Sequence, residues 1–544
     1  MLFNQRSCVR LILFVVGWPP MVPAKAGTIT KLGGRVWREL DKAILISATR
    51  QIRDFEKYRK DVQDENARRK RRSLDQPPLL EVVRPSRWNE SPAFNPYLVR
   101  KRRASIAHAI TEKLKSGTYV PQRPASFSVP KPSGGERRVN TYSIADEVIS
   151  KRLYQSLMGK NAAKLSAHSF AYRNDRTPHD AISYIYNDMK NEHRLFIAEF
   201  DFSKFFDLIS HEYIWQTFSH LGIISSPLER SLIRTFLAHP PSSANEAGNE
   251  KNEEVGLPQG TSISLFLANV AATPIDRSLE RLGVGFSRYA DDTLIWSDSY
   301  EKICTASRIL QEAAHEIGSP INFEKSPGIR ILSKPEARSS EIEETKSVNY
   351  LGHTLGLNSV RMRETAVDRI KKRVQTLIYT NLLMEPLRDN QNMNAITSND
   401  RDYVTYVWQL RRYLYGPLSE NDVRRFQHGG IPAMSFQGVM SFFPLVDHDK
   451  DLVELDVWIA TQTWLALKRR QRLLAKRVTR VPRTWGLSRS KLIRLKVVSG
   501  TTGEEIDLRL PSLRRIAGVI RMAVDTHGLA SVSDGSDLYL YESD

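Results

Sequence analysis

The sequence predicts an α+β fold, an antiparallel sheet packed with helices, from three observations. Leu195-Phe196-Ile197-Ala198-Glu199-Phe200 is a strand-like apolar run that ends in Asp201. Some 90 residues later, Val284-Gly285-Phe286 and Thr293-Leu294-Ile295-Trp296 flank Tyr289-Ala290-Asp291-Asp292. That stretch reads as two strands joined by a tight turn with adjacent acids at the turn. Beyond Leu357 the pattern becomes helical, with Val367, Ile370, Val374, Leu377 and Ile378 on one face among lysines and arginines.

The other elements follow in chain order. Leu11 to Trp18 is apolar, follows Arg6 and Arg10, and precedes Ala24-Lys25-Ala26, as in a signal peptide. It is far too short to span a bilayer. Residues 1–34 are expected to be a disordered leader, from a start codon placed too early. Val36 to Arg72 has helical spacing, with Trp37, Leu40, Ile44, Ile46, Ile52, Phe55 and Tyr58 as its apolar stripe. Its end, Arg68 to Arg72, fits phosphate contacts and a solvated helix end equally well. Gln76-Pro77-Pro78 and Pro85-Ser86 mark a linker, and Tyr97 to Leu114 reads as a helix. Pro240 to Glu254, rich in Ser, Asn and Glu, is expected to be an exposed loop. From Gly429 onward, aromatic clusters (Phe436, Phe442, Phe443, Trp458, Trp464) accompany the basic run Lys468 to Arg480 and a helical segment, Ser512 to Asp525.

Composition narrows the partner. Lys and Arg number 80 against 61 Asp and Glu, a formal charge of +19 in 544 residues. Such an excess favours a polyanion, either nucleic acid or an anionic membrane surface. The two cysteines, Cys8 and Cys304, exclude a disulfide framework and a Cys-based zinc site, and fit a reducing compartment.

The acids point to phosphoryl transfer. Buried or half-buried carboxylates repel one another and lose hydration unless a cation compensates them. Mg²⁺ binds through one or two carboxylates plus substrate phosphates. A strand ending in Asp201 beside a hairpin tipped with Asp291 and Asp292 suits a site for two metal ions. An Asp-Asp turn without function is the plain alternative.

Seven ordered blocks extend this reading: Ser126 to Val139, Ser169 to Ile182, Phe200 to His211, Gly256 to Asn269, Tyr289 to Asp292, Asn322 to Ser326, and Asn349 to His353. Together they resemble the motifs of bacterial reverse transcriptases of the group II intron and retron type. The resemblance implies a right-hand polymerase, with an N-terminal helical extension at 35–94, fingers and palm at 95–358, a helical thumb at 359–428, and a mainly helical C-terminal RNA-binding or accessory region at 429–544. It also implies RNA-directed DNA polymerase activity on an RNA template, with deoxynucleoside triphosphates as substrates and DNA as product.

Residue roles follow from that likeness. Asp201 and Asp291 match direct ligands of two Mg²⁺ ions, and Asp292 the less tightly engaged member. Phe206, five residues after Asp201, matches a steric gate against the ribose 2′-OH; a core role is the alternative. Lys131 with Arg137 or Arg138 matches the basic pair that clamps the triphosphate, the adjacent arginines leaving the register open. Gln259-Gly260 matches the stretch packed against the nascent base pair, where glycine permits close approach. Lys325 matches a lysine that protonates pyrophosphate, against the alternative of an ordinary surface lysine. Tyr172-Arg173 is expected near the template, while His211 and His353 satisfy local hydrogen bonds.

Departures narrow the family. Two cysteines cannot supply the Cys/His-rich endonuclease of many intron proteins. No Val-Thr-Gly thumb signature of retron enzymes follows Leu357. The remaining resemblance is to unknown-group, defence-associated enzymes, which implies copying of a cognate non-coding RNA in antiphage defence. An intron-type maturase or RNA-binding protein is the alternative. The expected location is the cytoplasm, without a membrane partner, and an oligomer is compatible. The basic segment Arg469 to Arg472 with Lys476-Arg477, beside Trp464, is expected to contact phosphates. Tyr539 and Tyr541 fit either a priming hydroxyl or an edge strand.

Overall fold

The computed structural model describes residues 34–77, 79–130, 136–238, 254–322, 324, 326–334, 342–396, 400–479, 481–498, 503 and 505–532. The leader, most of the Pro240–Glu254 segment, Tyr539 and Tyr541 lie outside them.

Strands β1 (Ala125–Pro130) and β2 (Glu136–Thr141) pair antiparallel. The central sheet contains β3 (Arg194–Phe200), β4 (Gly285–Tyr289), β5 (Asp292–Ser297), β6 (Ile329–Ser333) and β7 (Glu344–Thr345), in the order β4-β5-β3-β6-β7. All its pairings are antiparallel except β6 with β7. A three-stranded meander, β8 (Val348–Tyr350), β9 (His353–Leu355) and β10 (Val360–Met362), follows, and β11 (Lys496–Val498) pairs with β12 (Glu505–Asp507).

Side chains alternate across a sheet, so a strand apolar at successive positions must be covered on both faces. Leu195, Ile197, Leu294 and Trp296 enter one core, while Phe196, Ala198 and Ile295 enter the other. The core on one face is shared by α1 (Gly34–Arg72), α2 (Pro96–Ser116), α3 (Ile144–Asn161) and the helices between residues 211 and 317, whereas α4 (Pro178–Met189) packs in the core of the other. Helix α4 starts at a Thr177–Asp180 capping box. Next come α5 (His211–His220), α6 (Pro227–Leu237), α7 (Ser262–Leu282) and α8 (Tyr300–Ile317). Helix α7 starts at the Thr261 side chain and ends at Gly283, whose φ of 69° supplies the left-handed cap. It is apolar nearly all round, from Ile263 to Leu279, and is accordingly buried.

Helix α1 has 39 residues, about 58 Å at the usual rise per residue. Leu40, Ile44 and Ala48 are buried on its α2–α3 side. Ile46 is exposed, because two residues beyond Ile44 a helix has turned about 200°. The basic end of α1 is partly neutralised internally. Glu65 pairs with Arg68, Arg69 and Arg72, and the buried Arg72 also donates to Asn381 Oδ1 at 3.2 Å.

Helices α9 (Glu364–Ile378), α10 (Arg401–Tyr415), α11 (Glu420–His428), α12 (Asp449–Leu474) and α13 (Leu513–His527) share the second core with the meander. Helix α9 passes into a π-helical turn, Tyr379–Leu383. Packing is continuous across residues 428 and 429, since α13 lies against both α11 and α12 and Phe436 bridges to Val532.

The expected phosphate-contacting face of α12 needs correction. Arg470 is fully buried. Its Nε and Nη2 donate to Asp400 at 3.2 and 3.3 Å, and Nη2 also to Asp402 at 2.9 Å. Its Nη1 reaches the Leu382 carbonyl at 2.9 Å and Gln391 Oε1 at 3.2 Å. Arg477 pairs with Asp389. Arg469, Arg472 and Lys476 remain exposed, and Lys468 Nζ lies 4.1 Å from the Trp464 ring centroid. Among the described residues no helix is long and apolar enough to cross a membrane.

Candidate active site

Strand register sets the three acids at neighbouring strand ends. Phe200 pairs with Thr293 across β3 and β5, so the next positions in register are Asp201 and Asp292. Tyr289 pairs with Asp292 across β4 and β5, which leaves Ala290 and Asp291 as a two-residue turn. Ala290 has φ 62°, a left-handed value that costs a residue with a Cβ about 1–2 kcal/mol. Asp201 is nearly buried; Asp291 and Asp292 are half-buried.

The block after the hairpin folds back onto Asp201. Asn322 Nδ2 donates to Asp201 Oδ2 at 3.3 Å, Asn322 N to the Asp201 carbonyl at 2.8 Å, and Asp201 N to Ser326 Oγ at 3.3 Å. Lys325 lies outside the described residues, as does Lys131. Arg137 and Arg138 stand on β2 opposite Val129 and Ser128.

Phe205 and Phe206 divide between inside and outside. Phe205 is buried, whereas Phe206 is half-buried on the surface of the same core. The Phe206 ring meets Tyr172 edge-on at 5.9 Å, and the Tyr172 backbone is itself left-handed at φ 59°. Leu257 N donates to the Phe206 carbonyl at 2.6 Å, and Gln259 Nε2 donates to Asp207 Oδ1 at 2.8 Å. Gln259 is thus tethered to the turn that carries Phe206. Gly260 has φ 92°, and a Cβ there would lie 2.2 Å from the Asn140 carbonyl oxygen of β2. Its glycine is required by the chain's own backbone. Arg173 pairs with Asp175. His211 Nε2 lies 2.7 Å from the Gly256 carbonyl and His353 Nδ1 2.8 Å from that of Leu351.

Two supports beneath the turn were not anticipated from the sequence. Buried Arg288 forms a two-pronged pair with buried Asp276, both contacts at 2.7 Å. Its remaining donors reach Ser169 Oγ at 2.8 Å, Asn269 Oδ1 at 3.3 Å and the Ala290 carbonyl at 3.0 Å. The Tyr350 hydroxyl lies 3.0 Å from the Ser287 carbonyl and 3.3 Å from that of Asp292. Burial pushes the Tyr350 phenol well above its usual range, so it stays a donor. The available signal was Arg288 itself, a cation inside a short strand beside the apolar Phe286, which requires a buried acid elsewhere.

Among the described residues, no three His, Cys, Asp or Glu side chains stand close enough to hold a metal ion unaided. The donor set at the strand ends is nevertheless all carboxylate oxygen, which fits a hard divalent cation completed by substrate phosphates.

An acid-bearing hairpin packed beside a strand that ends in Asp is the arrangement of a right-hand polymerase palm. Residues 129–355 match the family described as reverse transcriptase (RNA-dependent DNA polymerase). A putative COX1/OXI3 intron 1 protein of Saccharomyces cerevisiae is 29% identical over 175 residues, which is 31% of this chain and 20% of that protein. The chain therefore spans about a fifth of the length of that relative. A truncated apo telomerase from Candida tropicalis aligns with 14% identity and a TM-score of 0.35, over 48% of this chain and 60% of its own. Telomerase from the same organism with a fragment of telomeric RNA aligns with 11% identity and a TM-score of 0.36, over 88% and 82%.

Proposed function

We propose that this protein is an RNA-directed DNA polymerase that adds deoxynucleotides to a primer 3′ end. The observation that carries the reading is the register that sets Asp201 beside Asp292, with Asp291 at the turn, inside a reverse transcriptase domain. Two Mg²⁺ ions held by Asp201 and Asp291, with Asp292 less engaged, would supply activation of the 3′-OH and stabilisation of departing pyrophosphate. The chain's own residues set the rest. Phe206 offers a ring edge where a ribose 2′-OH would clash and so selects deoxynucleotides. Gln259 and Gly260 shape the floor for the nascent pair. Lys131 with Arg137 or Arg138 grips the triphosphate, and Lys325 donates a proton to the leaving group. The template is a cognate non-coding RNA copied in the cytoplasm in antiphage defence, a reading supported by the resemblance of the ordered motif set.

Primer extension on an RNA template tests this. Asp201→Ala and Asp291→Ala should each abolish incorporation while the fold and RNA binding persist. Normal product from either variant overturns the assignment. An intron-type maturase is the second reading, favoured by the match to the yeast intron protein. Splicing assistance that survives Asp291→Ala would select it.

A further inference from the structure

Arg288 uses all five N–H donors of its guanidinium, on Asp276, Ser169, Asn269 and the carbonyl of Ala290. These acceptors come from three segments distant in sequence: helix α7, the loop before Tyr172, and the acid-bearing turn. On that turn Arg288 reaches the carbonyl of the left-handed residue, Ala290. An alanine at φ 62° persists only when its surroundings impose that conformation. Nearby, Asn269 Nδ2 donates to the Ala171 carbonyl at 2.9 Å, which ties the same network to the residue preceding Tyr172.

We propose that Arg288 is a positioning residue for nucleotide addition: anchored by Asp276, Asn269 and Ser169, it clamps Ala290 in the left-handed conformation and so fixes where Asp291 and Asp292 present their carboxylates. The inference rests on the polymerase reading above. It is distinct from a mere buried ion pair, because that pair would hold Asp276 whatever the turn did. Lys at 288 can still neutralise Asp276 but cannot span the same acceptors, since an ammonium lacks the planar fork.

The experiment compares wild type with Arg288→Lys in primer extension across a Mg²⁺ titration, and in Mn²⁺ binding read by water-proton relaxation. In Arg288→Lys the half-saturating Mg²⁺ should rise and kcat should fall, each by about tenfold, as when a group that orients metal ligands is lost. The KM for template–primer should stay put, and Mn²⁺ binding should weaken in parallel. Adding Ala290→Gly to Arg288→Lys should recover most of the loss, because glycine adopts the left-handed turn without a clamp. A folded Arg288→Lys enzyme with unchanged metal dependence overturns the proposal. So does a variant that only melts earlier and gains nothing from Ala290→Gly. Should Arg288→Lys fail to fold, Ser169→Ala removes a single acceptor and should raise half-saturating Mg²⁺ and weaken Mn²⁺ binding by a smaller factor. No shift in either overturns the proposal too. A wild type that does not extend primers at all overturns the polymerase reading instead. The Mn²⁺ measurement still decides the role of Arg288 in that case.

Discussion

Two buried arginines in this molecule solve one electrostatic problem in the same way and serve different ends. Arg288 and Arg470 are each buried, each paired with aspartate, and each donates five hydrogen bonds. Each also holds a left-handed residue, Ala290 at φ 62° and Asp400 at φ 42°. They differ in what the acceptors belong to. Arg288 reaches the turn that carries Asp291. Arg470 reaches Asp400 and Asp402 at the start of α10, the π turn after α9, and Gln391, which donates in turn to the Arg72 carbonyl at 3.3 Å. The first network aims a site, whereas the second joins the end of α1 to the helices that follow residue 400. Chemistry alone does not assign a buried ion pair to function; the segments it connects do.

The comparison can be broken most forcefully at Arg470. Arg470→Ala leaves Asp400 and Asp402 buried without their cation and should cost about 3–5 kcal/mol in a urea unfolding titration. Below its unfolding transition the variant should keep the wild-type Mg²⁺ dependence of extension. A shifted Mg²⁺ requirement would erase the distinction between the two networks.

His353 sharpens the contrast from the opposite side, as a buried base with no acid paired to it among the described residues. It packs on Phe442 and Phe443, its Nε2 has no hydrogen-bond partner, and its Nδ1 faces the Leu351 carbonyl. Burial pushes its pKa from 6.5 down to about 3; the Leu351 carbonyl opposes the shift in part and His179 adds a smaller push downward. The unfolded chain therefore binds a proton below 6.5 that the folded chain refuses until about 3. Stability is complete above that window and falls as pH drops through it, by up to about 1.4 kcal/mol per pH unit. His353→Gln, which does not titrate there, should show a shallower slope of unfolding free energy between pH 6 and pH 4. Equal slopes in the two proteins would refute the assignment.

The smallest effect is expected at Ala290. Ala290→Gly relieves about 1–2 kcal/mol of left-handed strain but loosens the unfolded chain by part of that amount. A net gain below about 1 kcal/mol should appear in unfolding titrations. A loss would mean that Ala290 contributes packing that outweighs its strained backbone.

The site was legible where its chemistry is local. The periodicity reads a strand that ends at Asp201 and a hairpin tipped with Asp291-Asp292, and the register between Phe200 and Thr293 then sets those strand ends next to each other. Phe206 was legible as a bulky residue after the acid, but whether it or Phe205 turned inward was not. Two adjacent aromatics satisfy the same pattern, and only the packing around a four-residue helical turn chose Phe205 for the core. Gly260 was legible as a position of close approach, though its nearest neighbour proved to be the Asn140 carbonyl of the chain itself.

By itself, then, the sequence determined the α+β class, the ordered motifs of a reverse transcriptase domain, and the three acids on adjoining strand ends, because hydrophobic period and turn chemistry act over a few residues. It did not determine which basic residues face solvent. Within Arg469 to Arg472 the middle arginine is interior, and within Arg68 to Arg72 the last is. Each has partners far along the chain, Asp400 and Asp402 for Arg470 and Asn381 for Arg72, although Arg72 also pairs with nearby Glu65. A run of like charges carries no local mark of which member will meet a distant carboxylate. Only the tertiary fold brings the two together, and the cost of burying an unpaired charge then decides which arginine is drawn inside.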